Sequence, residues 1–162
     1  MDPTYLLMAA GLFAAVALLW RTAAGGRRLL FTRQPSLLTA SELRFYYALL
    51  QAVPPHLTVQ VKVRLLDVVT VPADAWRPYG AKGSGMHLDF VIATAAALAP
   101  CLAIELDDRR HAGPAARQRD QFKDAALSGA QVPLLRIATT RRYDTAELRD
   151  RIQQALLGDR HG

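Results

Sequence analysis

The stretch MHLDFVIATAAALAPCLAIELDDRRH, residues 86–111, decides how the rest of the chain is read. It holds two apolar runs, residues 88–93 and 101–106, separated by small residues and Pro100. Runs this short, holding Val, Ile and Phe and bounded by turn formers, read as buried strands. Both carry acids where a core should be apolar. Asp89 lies between Leu88 and Phe90, and Glu105 and Asp107 close the second run. Side chains alternate along a strand, so Glu105 and Asp107 share one face, and pairing the two strands adds Asp89 to it. Three crowded carboxylates repel unless they take up protons or share a cation, and oxygen ligands suit Mg²⁺ or Mn²⁺. A plainer reading makes them solubilising caps, with Asp107-Asp108 and Arg109-Arg110 forming a salt-bridged turn. It suits Glu105 and Asp107 taken alone. Asp89, in mid-strand, needs a partner on either reading.

Upstream, Thr39 is a good N-cap and Glu42 three residues on completes a capping box, with Leu43, Tyr46, Tyr47 and Leu50 as the apolar stripe of the helix that follows. Pro54-Pro55 ends it. Residues 57–65 alternate, with Leu57, Val59, Val61, Val63 and Leu65 on one face and Thr58, Gln60, Lys62 and Arg64 on the other, as in a half-buried strand. Gln60 and Lys62 then point away from the apolar face, towards the acids. Residues 68–85 hold Pro and Gly with Trp76 and Tyr79, and read as an irregular loop. Trp76 packing onto the domain is one reading; a nucleic-acid contact through the aromatics, Arg77 and Lys82 is the other.

Downstream, a helix is expected over residues 115–128 with Phe122, Ala126 and Gly129 inward. Arg117, Asp120 and Lys123 share another face at threefold spacing. Residues 132–137 read as a strand, and a last amphipathic helix begins at Thr145 with Leu148, Ile152 and Leu156 inward. A crossover helix predicts that the strands it joins are parallel. Residues 158–162 read as a flexible tail.

At the other end, residues 4–20 carry no charge. As a helix they span roughly 25 Å, slightly short of a ~30 Å hydrocarbon core. Tyr5 and Trp20 sit where interfacial aromatics belong. A cleavable signal is the rival, with Thr22-Ala23-Ala24 as its cleavage site, but Met1-Asp2 offers no basic n-region. Residues 1–21 are therefore expected to be a transmembrane signal anchor and residues 22–35 a basic juxtamembrane linker. Cations following the span place a single-pass protein in the inner membrane with its C-terminal domain in the cytoplasm. Of the net charge of +6, four arginines less Asp2 supply half before residue 36, leaving a mildly basic domain compatible with nucleic acid. The single Cys101 excludes a disulfide framework and a thiolate metal site, and reads as a small buried hydrophobe. No P-loop, dinucleotide glycine motif or zinc spacing is present.

The pattern Asp89-Phe90, Ile104-Glu105-Leu106-Asp107-Asp108-x-x-His111, Arg119-Asp120 resembles the PD-(D/E)XK nucleases, and their very-short-patch-repair branch in particular. Closer still, with Leu38, Thr39, Glu42 and Pro133-Leu-Leu-Arg136-Ile, residues 36–152 are similar to the bacterial domain-of-unknown-function 2726 family, whose members are often membrane-tethered. The resemblance implies an α/β restriction-endonuclease-like αβββαβ core over residues 36–157, a mixed four-stranded sheet flanked by helices. It implies Asp89 and Glu105 as metal ligands for phosphodiester hydrolysis of DNA or RNA, and an acid lent by the first helix. Asp107 stands where active nucleases of this fold place lysine. It could extend the metal set or orient it from behind. His111 is a candidate general acid or base. Lys123, beside Asp120, could supply the missing cation, or the two could belong to a surface charge pattern with Asp124. Three readings follow: a membrane-anchored, Mg²⁺- or Mn²⁺-dependent nuclease; an inactive module binding nucleic acid or a protein partner; and an adaptor with a salt-bridged core.

Overall fold

The computed structural model describes residues 3–23, 31–107 and 113–158. Two compact units divide the chain, Met1–Pro35 and Ser36–Gly162. The first contains α1, Pro3–Ala23, on which Met8, Phe13 and Trp20 are exposed. The expected membrane-crossing helix is not met: among the described residues no helix is long and apolar enough to cross a membrane. The uncharged run, residues 4–20, is as a helix slightly shorter than a ~30 Å hydrocarbon core. The side chain of Tyr5, and residues 24–30 of the expected linker, lie outside the described set.

The second unit is a mixed α/β fold. Its elements are α2 (Ala40–Ala52), β1 (Leu57–Arg64), α3 (Leu65–Val68), α4 (Ala81–Gly83), β2 (His87–Thr94), β3 (Pro100–Asp107), α5 (Pro114–Gly129), β4 (Leu134–Ala138) and α6 (Thr145–Gly158). The four strands form one sheet in the order β1-β2-β3-β4. β1, β2 and β3 pair antiparallel as a meander, and the crossover through α5 returns β4 parallel to β3, as the connection length requires. A register shift between Ile92 and Ala93 marks the hairpin end of β2. Cys101 is half-buried there, its thiol donating to the Ala99 carbonyl at 3.3 Å, so it is not the buried hydrophobe expected.

Each face of the sheet has its own core. On one, Phe90, Ile92, Leu102 and Ile104 meet Phe45 and Leu49 of α2 and Leu148 and Ile152 of α6. On the other, Val91 and Ala103 meet Leu65, Val69, Met86 and Leu127 of α5. The Thr39 capping box is present in full. The inner stripe of α2, however, is Phe45, Leu49 and Ala52, while Tyr47 and Leu50 are exposed. Two overlapping stripes in this helix satisfy the helical period, and the aromatic edge contacts of Phe45 with Phe90 and Tyr143 select one of them. In α5, Leu127 is buried and Gly129 is exposed. α6 buries Leu148 and Ile152 as its period predicts, but its cap is Asp144, whose Oδ1 accepts the Ala146 and Glu147 N–H groups.

The expected loop of residues 68–85 is folded into short turns. After α3 come a 3₁₀ turn at Ala73–Ala75, a π-helical turn at Trp76–Gly80, and α4. Leu65 leaves the strand and donates its N–H to the Met86 carbonyl, which closes this excursion.

Candidate functional site

The alternation of β1 breaks at Lys62. Leu57, Val59 and Val61 pack against the core of α2 and α6, whereas Val63 packs against that of α3 and α5. Strict alternation would keep Val61 and Val63 on one face. Their partners divide the same way: Val61 pairs with Phe90 in the first core, and Val63 with Leu88 in the second. Lys62, between them, has φ 52°, in the left-handed region that suits glycine. A lysine held there keeps the conformation through its other contacts. Its ammonium donates to Glu42 Oε1 at 2.6 Å and to Asp89 Oδ1 at 3.0 Å.

Asp89 lies one residue beyond the last β2–β3 register pair, Phe90 with Ile104. Its second oxygen, Oδ2, accepts the Leu106 N–H at 3.1 Å, so a side chain continues the link between the strands. The mid-strand acid thus has two partners, one on each neighbouring strand. Glu42 does two jobs with its two oxygens. Oε2 accepts the Thr39 N–H at 2.8 Å in the capping box, and Oε1 takes Lys62. Burial works to raise the Glu42 pKa, but the hydrogen bonds from Lys62 and Thr39 outweigh it and leave it lowered.

Glu105 is the buried acid of the fold among the described residues, with 8% of its surface exposed. Both its oxygens accept from Lys123 Nζ of α5, at 2.5 and 2.6 Å. Its pKa is nevertheless raised. Burial is the main cause, the Lys123 ammonium offsets it in part, and the nearby Asp89 charge adds to the rise. Asp120, one turn before Lys123 on α5, has its Oδ1 3.8 Å from the ammonium. Beside them is a cavity of about 300 Å³, lined by Met86, His87, Ala116, Arg119, Asp120 and Lys123. Arg136, opposite Glu105 on β4, is engaged by Asp124 at 2.5 Å.

The structure therefore brings Asp89, Glu105, Lys123 and Asp120 to one end of the sheet. Asp107 ends β3, with its carbonyl accepting the Thr139 N–H at 3.2 Å. Among the described residues no three acid, histidine or cysteine side chains gather as a metal-holding group, and Asp89 and Glu105 are each paired to a lysine. His111, with Arg109 and Arg110, lies outside the described residues. The sequence by itself only points Lys62 towards the acids. What fixes its role is its place between two β1–β2 pairs, Val61 with Phe90 and Val63 with Leu88, which bracket Asp89 on the neighbouring strand.

The fold and site define a mixed α/β domain with a lysine-neutralised pair of acids where β2 and β3 part. The chain belongs to the family described as Protein of unknown function (DUF2726), whose profile matches residues 34–156. Comparison with curated proteins and with solved structures found no match.

Proposed function

We propose that the domain is a divalent-metal-dependent nuclease of restriction-endonuclease-like fold, hydrolysing phosphodiester bonds of DNA or RNA, and that α1 attaches it to the inner membrane with the domain on the cytoplasmic side. The observation that carries the enzymatic reading is the convergence of Asp89 and Glu105 at the parting of β2 and β3, with Lys123 between Glu105 and the cavity. The element order α2-β1-β2-β3-α5-β4-α6 supports the fold reading, and the exposed apolar side chains of α1 support attachment.

The two acids suit a hard divalent ion such as Mg²⁺ or Mn²⁺. They offer only carboxylate oxygens, and each already receives an ammonium, a cation standing in for a metal. Bound there, the ion would lower the pKa of a water and offset charge on the phosphoryl oxygens. Lys123, when not held by Glu105, presents a positive charge to the cavity it lines, where a phosphate oxygen could accept from it. Arg119, on the same wall, offers a second cation. Lys62 keeps Asp89 and Glu42 from repelling each other. Asp107 and His111 remain candidates for orienting the ion and for moving a proton.

An inactive nucleic-acid- or partner-binding module is favoured by one observation. Both oxygens of Asp89 and both of Glu105 already have partners, so an ion would compete with the two lysines for them. Incubating the full chain in detergent with labelled DNA and RNA, in Mg²⁺, in Mn²⁺ and in chelator, tests the choice. Metal-dependent cleavage that disappears in Asp89→Asn and Glu105→Gln is expected. Binding without cleavage under every metal condition would leave the inactive module.

A further inference from the structure

We infer that the turn from Trp76 to Lys82 is a stacking platform for unpaired nucleotides, which makes single-stranded nucleic acid the substrate class. This rests on the nuclease reading for its place in the reaction, though not for the binding itself.

The two aromatics of this turn are each braced on one side and open on another. The Trp76 ring lies over Gly80 so closely that a Cβ at that position would fall 2.4 Å from it, yet Trp76 is 50% exposed. Tyr79 stacks on Phe122 of α5 with ring centroids 6.4 Å apart and planes 24° from parallel, and is 55% exposed. Lys82 Nζ stands 4.7 Å from the centroid of the same Phe122 ring. Bracing fixes the rings without covering them, so little ordering is left to do when a flat partner arrives.

The chemistry around them selects that partner. Arg77 follows Trp76 directly, and Lys82 follows Tyr79 by three residues, so cations alternate with aromatic faces along the turn. Bases stack on aromatic rings regardless of sequence, while cations take the phosphates between them. A purely apolar partner would gain nothing from the two charges. A duplex keeps its bases stacked inside, out of reach of both rings, whereas a single strand offers base faces and phosphates together.

Position joins the platform to the site. Phe122, which supports Tyr79 and Lys82, is the residue before Lys123 on α5. The chain leaving α4 runs through Met86 and His87, which line the cavity beside Lys123. The platform and the cavity thus share α5 and the segment that joins α4 to β2.

The test is fluorescence anisotropy of the full chain in detergent with chelator present, using labelled twelve-nucleotide oligo-dT, oligo-U and a duplex of the same length. Single strands are expected to bind at least tenfold tighter than the duplex, with Trp76→Ala and Tyr79→Ala each weakening them about tenfold. Arg77→Gln with Lys82→Gln, on the surface and safe for folding, should reduce the slope of log affinity against log salt by about 1.4, two phosphates' worth for a single strand. Equal or tighter duplex binding overturns the platform. So does oligonucleotide binding unchanged in the aromatic and cationic variants alike, which would assign the turn to a protein partner. Metal-dependent cleavage is scored separately. Stacking-dependent binding without cleavage removes the nuclease and keeps the platform, whereas single-strand cleavage indifferent to these variants does the reverse.

Discussion

Two lysines neutralise acids at the same end of this sheet, and the two groupings behave differently. Lys62 bridges Glu42 and Asp89 from within β1, with about a third of its side chain in water. Lys123 reaches Glu105 from α5, and both side chains of that pair are nearly closed off. Glu42, given a lysine and a backbone N–H, has its pKa lowered despite burial. Glu105, given a lysine on both oxygens, has its pKa raised, because burial exceeds what one ammonium returns and Asp89 adds a like charge. An ion pair is thus not a fixed quantity. Its sign depends on how much water each partner gave up and on the next charge along.

Lys123→Met should separate the two groupings most sharply. It leaves Glu105 buried with no ammonium on either oxygen, and breaking one side of a buried pair costs about 3 kcal/mol. Because Glu105 already holds its proton more tightly than a free glutamate, the loss should shrink as pH falls and the acid neutralises. Urea denaturation at pH 8 and pH 5 reads this directly. Adding Glu105→Gln to Lys123→Met should restore much of the stability at pH 8. A double variant no more stable than the single one would mean that Lys123 acts through packing.

How much of this was legible in the sequence differs between the groupings too. The capping role of Glu42 is local, set by Thr39 three residues away, and the sequence predicts it. The threefold spacing of Asp120 and Lys123 put both on one helix face, and α5 does turn Lys123 into the sheet. The crossover that makes β4 parallel was equally plain, since it follows from connection length. What periodicity could not give is the exchange of faces at Lys62. Leu57 to Leu65 alternates without a fault, and nothing in that run announces a left-handed residue. The exchange exists because Val61 and Val63 answer to different cores, a long-range fact. The choice of Phe45 over Tyr46 in α2 is of the same kind: two stripes fit the helix, and only the aromatic partners across the sheet decide.

The backbone at Lys62 sharpens the comparison further. Lys62→Met removes both ion pairs and keeps the left-handed strain, leaving Glu42 and Asp89 without their bridge. The cost should be about 1–2 kcal/mol, between that of an exposed pair and a buried one. Lys62→Gly removes the same charges but relieves about 1 kcal/mol of backbone strain at φ 52°. Glycine should therefore be no less stable than methionine here, the reverse of the order at an ordinary strand position. Chemical denaturation of both variants gives the ordering, and methionine more stable than glycine would place the strain elsewhere.

The smallest effect is a difference in sign with pH. Glu42, lowered from 4.5 in the fold, contributes stability that is present above pH 4.5 and is lost as pH falls through its lowered value. Glu105, raised from 4.5, contributes in the opposite sense: its stabilisation is present below pH 4.5 and is lost as pH rises through its raised value. The stability of the wild type relative to Glu42→Gln should thus grow with pH across the acid range and level off above 4.5. Relative to Glu105→Gln it should decline from 4.5 upwards. For Glu42 the total change should be about 0.5 kcal/mol, since water around Lys62 screens the pair. Melting all three proteins in chelator from pH 3 to pH 8 measures both differences on one scale. If the two curves slope the same way, the groupings share one electrostatic environment, and the contrast between the bridged and the buried lysine is lost.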